Sequence, residues 1–167
     1  MQLSVREARR EDAEGILALL NPIIEAGTYT ALDTPFTIEE ERRFIAGFPE
    51  RGVFHVAQSE QDARLLGFQV VEPFATYTHA FDHVGVIGTF VDLAWRRQGI
   101  GARLAEATFA AARKKGYEKL FGYVRADNAA ALAFYASLGF GVIGTAQRQA
   151  RIGGRYVDEV LIEAFLK

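Results

Sequence analysis

The sequence predicts an α/β domain built on a mixed sheet with helices on both faces. Three observations carry that expectation. Hydrophobic patterning switches roughly every 10 to 20 residues between the strand period of 2 and the helix period of 3.6. Residues 84–91 are apolar on both parities, with Val84, Val86 and Phe90 on one and Ile87 and Val91 on the other, as in a central strand covered on both faces. The resulting order, β-α-α-β-β-β-α-β-α-β-β, suits a mixed sheet.

Leu3, Val5 and Glu7 alternate with their neighbours and predict a first strand. Glu11 and Asp12 open a helix, since acids favour the first turn. Its stripe is Ile16, Leu19, Leu20, Ile23 and Ile24, and Pro22 is expected to kink or break it. Thr37 and Glu40 form a capping box for a second helix carrying Phe44, Ile45 and Phe48, stopped by Pro49. Residues 52–59 and 64–72 read as strands joined by Glu60-Gln61-Asp62. A third helix starts near Gln98, with Ile100, Leu104, Ala107 and Ala111 on one face, and Gly116 suits its C′ position. Leu120–Val124 is a strand. Asp127 is expected to cap a fourth helix that Gly139 ends. The tail reads as a hairpin around Gly153-Gly154, with strands near 142–151 and 155–166.

Composition narrows the function. The 167 residues suit one domain spanning 1–167, since domains run roughly 100–200 residues. Such a chain buries about 70% of its unfolded surface and needs no metal or disulfide staple. The absence of cysteine excludes a thiolate metal site and a cysteine nucleophile, and three histidines make a structural zinc site unexpected. A net charge of -2 argues against nucleic-acid binding by phosphate neutralisation. No apolar run reaches the roughly 18 residues of a membrane span, and the start lacks a signal-peptide pattern. The expectation is a cytoplasmic protein.

The most informative segment runs from Phe90 to Leu104, from a buried strand through a basic, glycine-containing turn into a helix. Backbone N–H groups at a helix start lack intrahelical partners and, with the helix dipole, favour an anion. Gly99 and Gly101 are expected to let the backbone approach it, and Arg96 and Arg97 add positive charge. The inferred ligand is a phosphate group, most economically a pyrophosphate. The run lacks the P-loop pattern, and Leu104 stands where a dinucleotide fingerprint needs glycine. Arg96, Gly99 and Gly101 satisfy [Q/R]-x-x-G-x-[G/A], which resembles the acetyl-coenzyme A loop of the GCN5-related N-acetyltransferases (GNAT). A second segment, Asn128 to Phe140, is similar to that family's N-x-x-A-x-x-[FL]-Y-x-x-x-G-F motif. Asn128 and Tyr135 lie seven residues apart, near two helical turns, so they share a face at a spacing of roughly 10 Å.

The resemblance implies the GNAT fold, a mostly antiparallel seven-stranded sheet flanked by about four helices. It implies direct acetyl transfer from acetyl-coenzyme A (acetyl-CoA) to an amine, without a metal. It maps the pantetheine onto Thr89, Phe90 and Val91, the pyrophosphate onto Arg96, Arg97, Gln98, Gly99, Ile100, Gly101 and Ala102, a further cofactor contact onto Asn128, and the acid for the leaving thiolate onto Tyr135. By the same analogy the protein is a homodimer. Thr34-Pro35-Phe36-Thr37, Glu40-Glu41-Arg42 and Gly153–Asp158 look like the phosphinothricin-acetyltransferase branch, which acetylates small amino-acid-like amines. That branch carries a Glu where this chain has Val86, so its base does not transfer. The branch acetylating a ribosomal protein's N-terminus has a Glu where this chain has Tyr123.

Within the chain His83 is the first candidate base, at the start of the central strand beside Asp82, with an ordinary pKa near 6.5. His79, Glu72 and Tyr123 are further candidates. Phe74, Tyr77, Phe81 and Tyr29 are expected either to line an acceptor pocket or to close the core edge. The acceptor is expected to be a small-molecule amine. Three alternatives stay open: a protein N-terminal acetyltransferase, a non-catalytic acyl-CoA binding module and, more distantly, a nicotinamide-dependent oxidoreductase.

Overall fold

The alternating segments become one seven-stranded sheet in the computed structural model, which describes residues 1–167. In chain order the elements are β1 (Leu3–Glu7), α1 (Ala13–Ala26), α2 (Ile38–Ala46), β2 (Val53–Ser59), β3 (Leu65–Pro73), β4 (Val84–Val91), α3 (Ile100–Lys114), β5 (Lys119–Arg125), α4 (Ala129–Ser137), β6 (Gly141–Ile152) and β7 (Arg155–Phe165). The strand order is β1-β2-β3-β4-β5-β7-β6. Every pairing is antiparallel except β4 with β5. The expected mixed, mostly antiparallel sheet is therefore present, with β4 at its centre.

Side-chain alternation sorts the strands onto two layers. Phe54, Val56 and Phe68 pack with the α1 stripe Ile16, Leu19, Leu20, Ile23 and Ile24. On the opposite face Val71, Ile87, Leu120 and Val124 meet Ala112 from α3 and Tyr135 from α4, while Ala57 and Leu66 meet Ile100 and Leu104. The core thus lies on both sides of the sheet, and both faces of β4 are covered as its two apolar parities predicted.

Three local expectations need correction. Pro22 neither breaks nor ends α1, which runs on to Ala26. Pro22 and Ala18 are both exposed, so the carbonyl deprived of its N–H partner faces water while the buried stripe holds the helix together. The capping box is formed, with Glu40 N–H donating to Thr37 Oγ1 and Thr37 N–H to Glu40 Oε2, but α2 ends at Ala46, before Phe48 and Pro49. Asn128 rather than Asp127 caps α4: its Oδ1 accepts from the Ala131 N–H at 3.1 Å, because Arg125 has captured the Asp127 carboxylate at 2.8 Å. The terminal hairpin turns on Gly153 and Gly154, both at positive φ, as a two-residue loop requires.

Candidate active site

Strand β4 pairs with β3 along its whole length, from Gly85 to Val91. It pairs with β5 only through Val84–Val86 against Lys119–Phe121. Beyond Val86 the two strands part. The opening leads into a cleft of about 1420 Å³, lined by Thr89, Phe90 and Val91 from β4, the start of α3, one face of α4 and the segment between α1 and α2. Backbone groups on the freed edge of β4 have no strand partner there and are available to an extended ligand.

One end of the cleft is walled by a turn whose backbone N–H groups have no backbone acceptor. Arg97 at φ 60 and Gly99 at φ 80 turn the chain through two left-handed residues into α3. None of the N–H groups of Arg97 through Ala102 has an acceptor in the backbone hydrogen bonds of loops and caps. Six unpaired donors at a helix start form a site for negative charge. The two glycines have different reasons. A side chain at Gly99 would meet nothing within 4 Å, so its glycine serves the positive φ. A Cβ at Gly101 would lie 2.8 Å from the Phe134 ring, so its absence lets α3 approach α4. Ile100 sends its side chain into the core, and Gln98, exposed, is not part of the cleft lining. Arg96 is stacked on Tyr29, its guanidinium 4.0 Å from the ring centroid.

Midway along the cleft stands Tyr135. Its ring packs between Phe134 and Phe140, and the residue is 7% exposed. The hydroxyl donates to Thr89 Oγ1 at 2.9 Å, and Gln69 Nε2 donates to the same oxygen at 2.8 Å. Burial pushes the phenol up to about 12, overriding the opposing effect of its bonds to Thr89. The group therefore stays protonated at any ordinary pH.

A model of the acetyltransferase (GNAT) family matches residues 17–140. The chain belongs to the GNAT acetyltransferase family. It is 24% identical to the L-methionine sulfoximine/L-methionine sulfone acetyltransferase of Pseudomonas paraeruginosa, over 95% of this chain and 91% of that protein. It is 26% identical to the phosphinothricin N-acetyltransferase of Streptomyces coelicolor, over 94% of this chain and 92% of that one. The crystal structure of a GNAT phosphinothricin acetyltransferase from Sinorhizobium meliloti in complex with acetyl-CoA superposes with a TM-score of 0.90 at 18% identity, covering 99% of this chain and 89% of that one. The GNAT fold and an acetyltransferase activity expected from the two motifs are thereby shown.

The rest of this GNAT cleft departs from the sequence expectations. Asn128 lines it, but its side chain is engaged within the protein: Oδ1 caps α4 and Nδ2 donates to the Tyr29 carbonyl at 3.1 Å. Arg125, a buried residue, binds the carbonyls of Gly27 and Thr30 as well as Asp127. Arg125 ties the segment after α1 to β5, Asn128 ties it to the start of α4, and Arg96 holds it from the loop before α3.

His83 does not reach the cleft. It is exposed and immediately precedes β4, at the end opposite Thr89, six residues or roughly 20 Å away at the rise of a strand. His79 is fully exposed and bonded to Asp82. Of the four aromatics only Tyr29 lines the cleft; Phe74 and Phe81 pack on each other, with Phe74 also against Phe121, and Tyr77 is exposed. Residues that the sequence reading did not assign to a site line the cleft as well, among them Phe36, Phe44 and Phe68, with Glu41 and Glu159 as carboxyls. Val86, where a carboxylate was sought by resemblance, is paired across the ladder with Glu72.

Proposed function

We propose that this protein transfers the acetyl group of acetyl-CoA directly to the primary amine of a small, amino-acid-like molecule. The observation that carries the proposal is the buried Tyr135 hydroxyl, held on Thr89 at the point where β4 and β5 have parted. The N–H groups of Arg97 to Ala102 suit the pyrophosphate, and the unpaired edge at Thr89–Val91 suits the pantetheine amides. Those two fits bring the thioester toward Tyr135. The substrate class is supported by the two relatives of amino-acid-like specificity that align over nearly the whole chain.

The amine nitrogen attacks the thioester carbonyl carbon, a C–N bond forms, the C–S bond breaks, and Tyr135 gives its proton to the leaving sulfur. Transfer from a phenol at about 12 to a free thiolate near 8.5 is uphill by about 5 kcal/mol. The same desolvation that raises Tyr135 raises a thiolate held beside it, which narrows that gap. Thr89 and Gln69 act as positioning residues for the phenol.

Residues 1–167 are read as one catalytic domain. Acetyl-CoA is an intracellular metabolite, so the reading is of a cytoplasmic enzyme. A homodimer is supported by the edge strand β6, which carries exposed Val142 and Ile143. The test of function is an acceptor panel of amino-acid analogues and peptides with acetyl-CoA, read by thiol release, to which a protein without cysteine adds no background. Turnover with an amino-acid analogue supports the proposal; turnover with peptides alone moves it to a protein N-terminal acetyltransferase, and none with any amine favours a binding module.

A further inference from the structure

We propose that Glu72 receives the acceptor ammonium and takes its proton before the nitrogen attacks the thioester. This rests on the cleft being an acetyl-transfer site. Glu72 lines the cleft from β3, opposite Val86 in the β3–β4 ladder. It shares the α1–α2 face with Phe68 and Val70, so its carboxyl stands in an apolar wall. Its diagonal neighbour on β4 is Gly88, roughly 7–8 Å away by ladder geometry. Gly88 presents bare backbone beside Thr89, so an amine held by Glu72 faces the place assigned to the thioester.

The other carboxyls of the cleft are spoken for or displaced. Glu40 holds the Thr37 N–H in the capping box. Glu159 stands opposite Arg125 in the β5–β7 ladder and feels its charge. Glu41 hangs from α2, off the sheet. Glu72 alone is on the sheet beside β4 with no cation against it, and burial alone pushes its carboxyl above the usual range. The charged groups sharing the cleft are Glu40, Glu41 and Arg43 from α2, Arg96 and Arg97 from the loop before α3, Arg125 from β5 and Glu159 from β7; α1 contributes apolar Leu20 and Ile23.

Moving a proton from an ordinary ammonium near 10.4 to an ordinary carboxylate near 4.3 is unfavourable by about a million-fold. Burial raises the carboxyl and lowers the ammonium, which narrows the gap, while the attraction between the two charges works against it. The protons balance. The ammonium gives one to Glu72, which passes it to solvent, and the nitrogen loses a second to solvent after the C–N bond forms. Tyr135 supplies one to sulfur and regains it from solvent. The products are the amide, coenzyme A and one net proton.

The test uses the acceptor found in the panel, with kcat/KM measured from pH 6 to 9.5 for the intact enzyme, Glu72→Gln, and Glu72→Val with Val86→Glu, which moves the carboxyl to the facing strand position. Coenzyme A binding is followed by calorimetry. The expected result is a loss of about 100-fold for Glu72→Gln near pH 7 with coenzyme A affinity unchanged, shrinking as pH approaches the amine's own pKa. The swapped variant recovers at least tenfold of it. An unchanged rate, or a loss equal at every pH, overturns the proposal. Should Glu72→Gln fail to fold, the swapped variant decides: activity supports the assignment, and a folded inactive protein overturns it. If Tyr135→Phe is also without effect, the acetyl-transfer reading fails first.

Discussion

The Tyr135 hydroxyl donates to Thr89 Oγ1 at 2.9 Å, linking α4 to the central strand across the mouth of the β4–β5 opening. Gln69, fully buried on β3, donates to the same oxygen while its own Oε1 has no partner. Leaving a buried polar atom unpaired costs on the order of 1–3 kcal/mol, and here the cost accompanies a fixed acceptor for the phenol. The geometry gives one acid a defined rest position at the place where the proposed thioester lies.

Gly101→Ala is expected to destabilise the protein by about 1–3 kcal/mol, because the new methyl meets the Phe134 ring at 2.8 Å. Phe134→Leu in the same chain is expected to recover most of the loss in denaturant unfolding. Failure to recover would locate the role of this glycine at the ligand instead of the helix contact.

Arg125→Met is expected to cost about 2 kcal/mol and to raise KM for the acceptor more than for acetyl-CoA. Its guanidinium holds the carbonyls of Gly27 and Thr30, and charged hydrogen bonds of this kind contribute roughly 1.5–3 kcal/mol. Steady-state kinetics in both substrates check the split; equal changes in the two KM values would contradict it.

Glu41 is 5% exposed, and burial raises its carboxyl pKa. A carboxyl raised in the folded state binds its proton more tightly there than when unfolded. Its contribution is therefore intact below the unfolded value near 4.3 and is lost as pH rises through the folded one. Glu41→Gln removes that loss, so the Tm difference, variant minus parent, is expected to be more positive at pH 7 than at pH 4. Equal differences at the two pH values would show that the carboxylate is relieved in another way.

The sequence carried most of the scaffold because local rules and tertiary packing agree along it. The two parities of residues 84–91 located the central strand, and Thr37 with Glu40 located a helix start. The loop proposed to hold the pyrophosphate could be picked out because it is contiguous in the chain, from Arg96 to Ala102. The other wall of the cleft was legible only as separate candidates, Glu72 and Tyr29 among them, since it is assembled from segments far apart in sequence. Glu72 acquires its position from pairing with Val86, and Tyr29 from stacking on Arg96. His83 was attractive for its pKa, but strand geometry carries it to the wrong end of β4. Asn128 was read as a cofactor contact from its place in the family motif; its side-chain amide donates to the Tyr29 carbonyl, 99 residues away, a contact no local pattern announces.

The most direct measurement is kcat of Tyr135→Phe at saturating acceptor, with coenzyme A affinity measured by calorimetry on the same preparation. The substitution removes one oxygen and leaves the ring packing against Phe134 and Phe140. The result predicted is a fall in kcat of at least about 100-fold with coenzyme A affinity within about twofold. An unchanged kcat would contradict the assignment of Tyr135 as the acid.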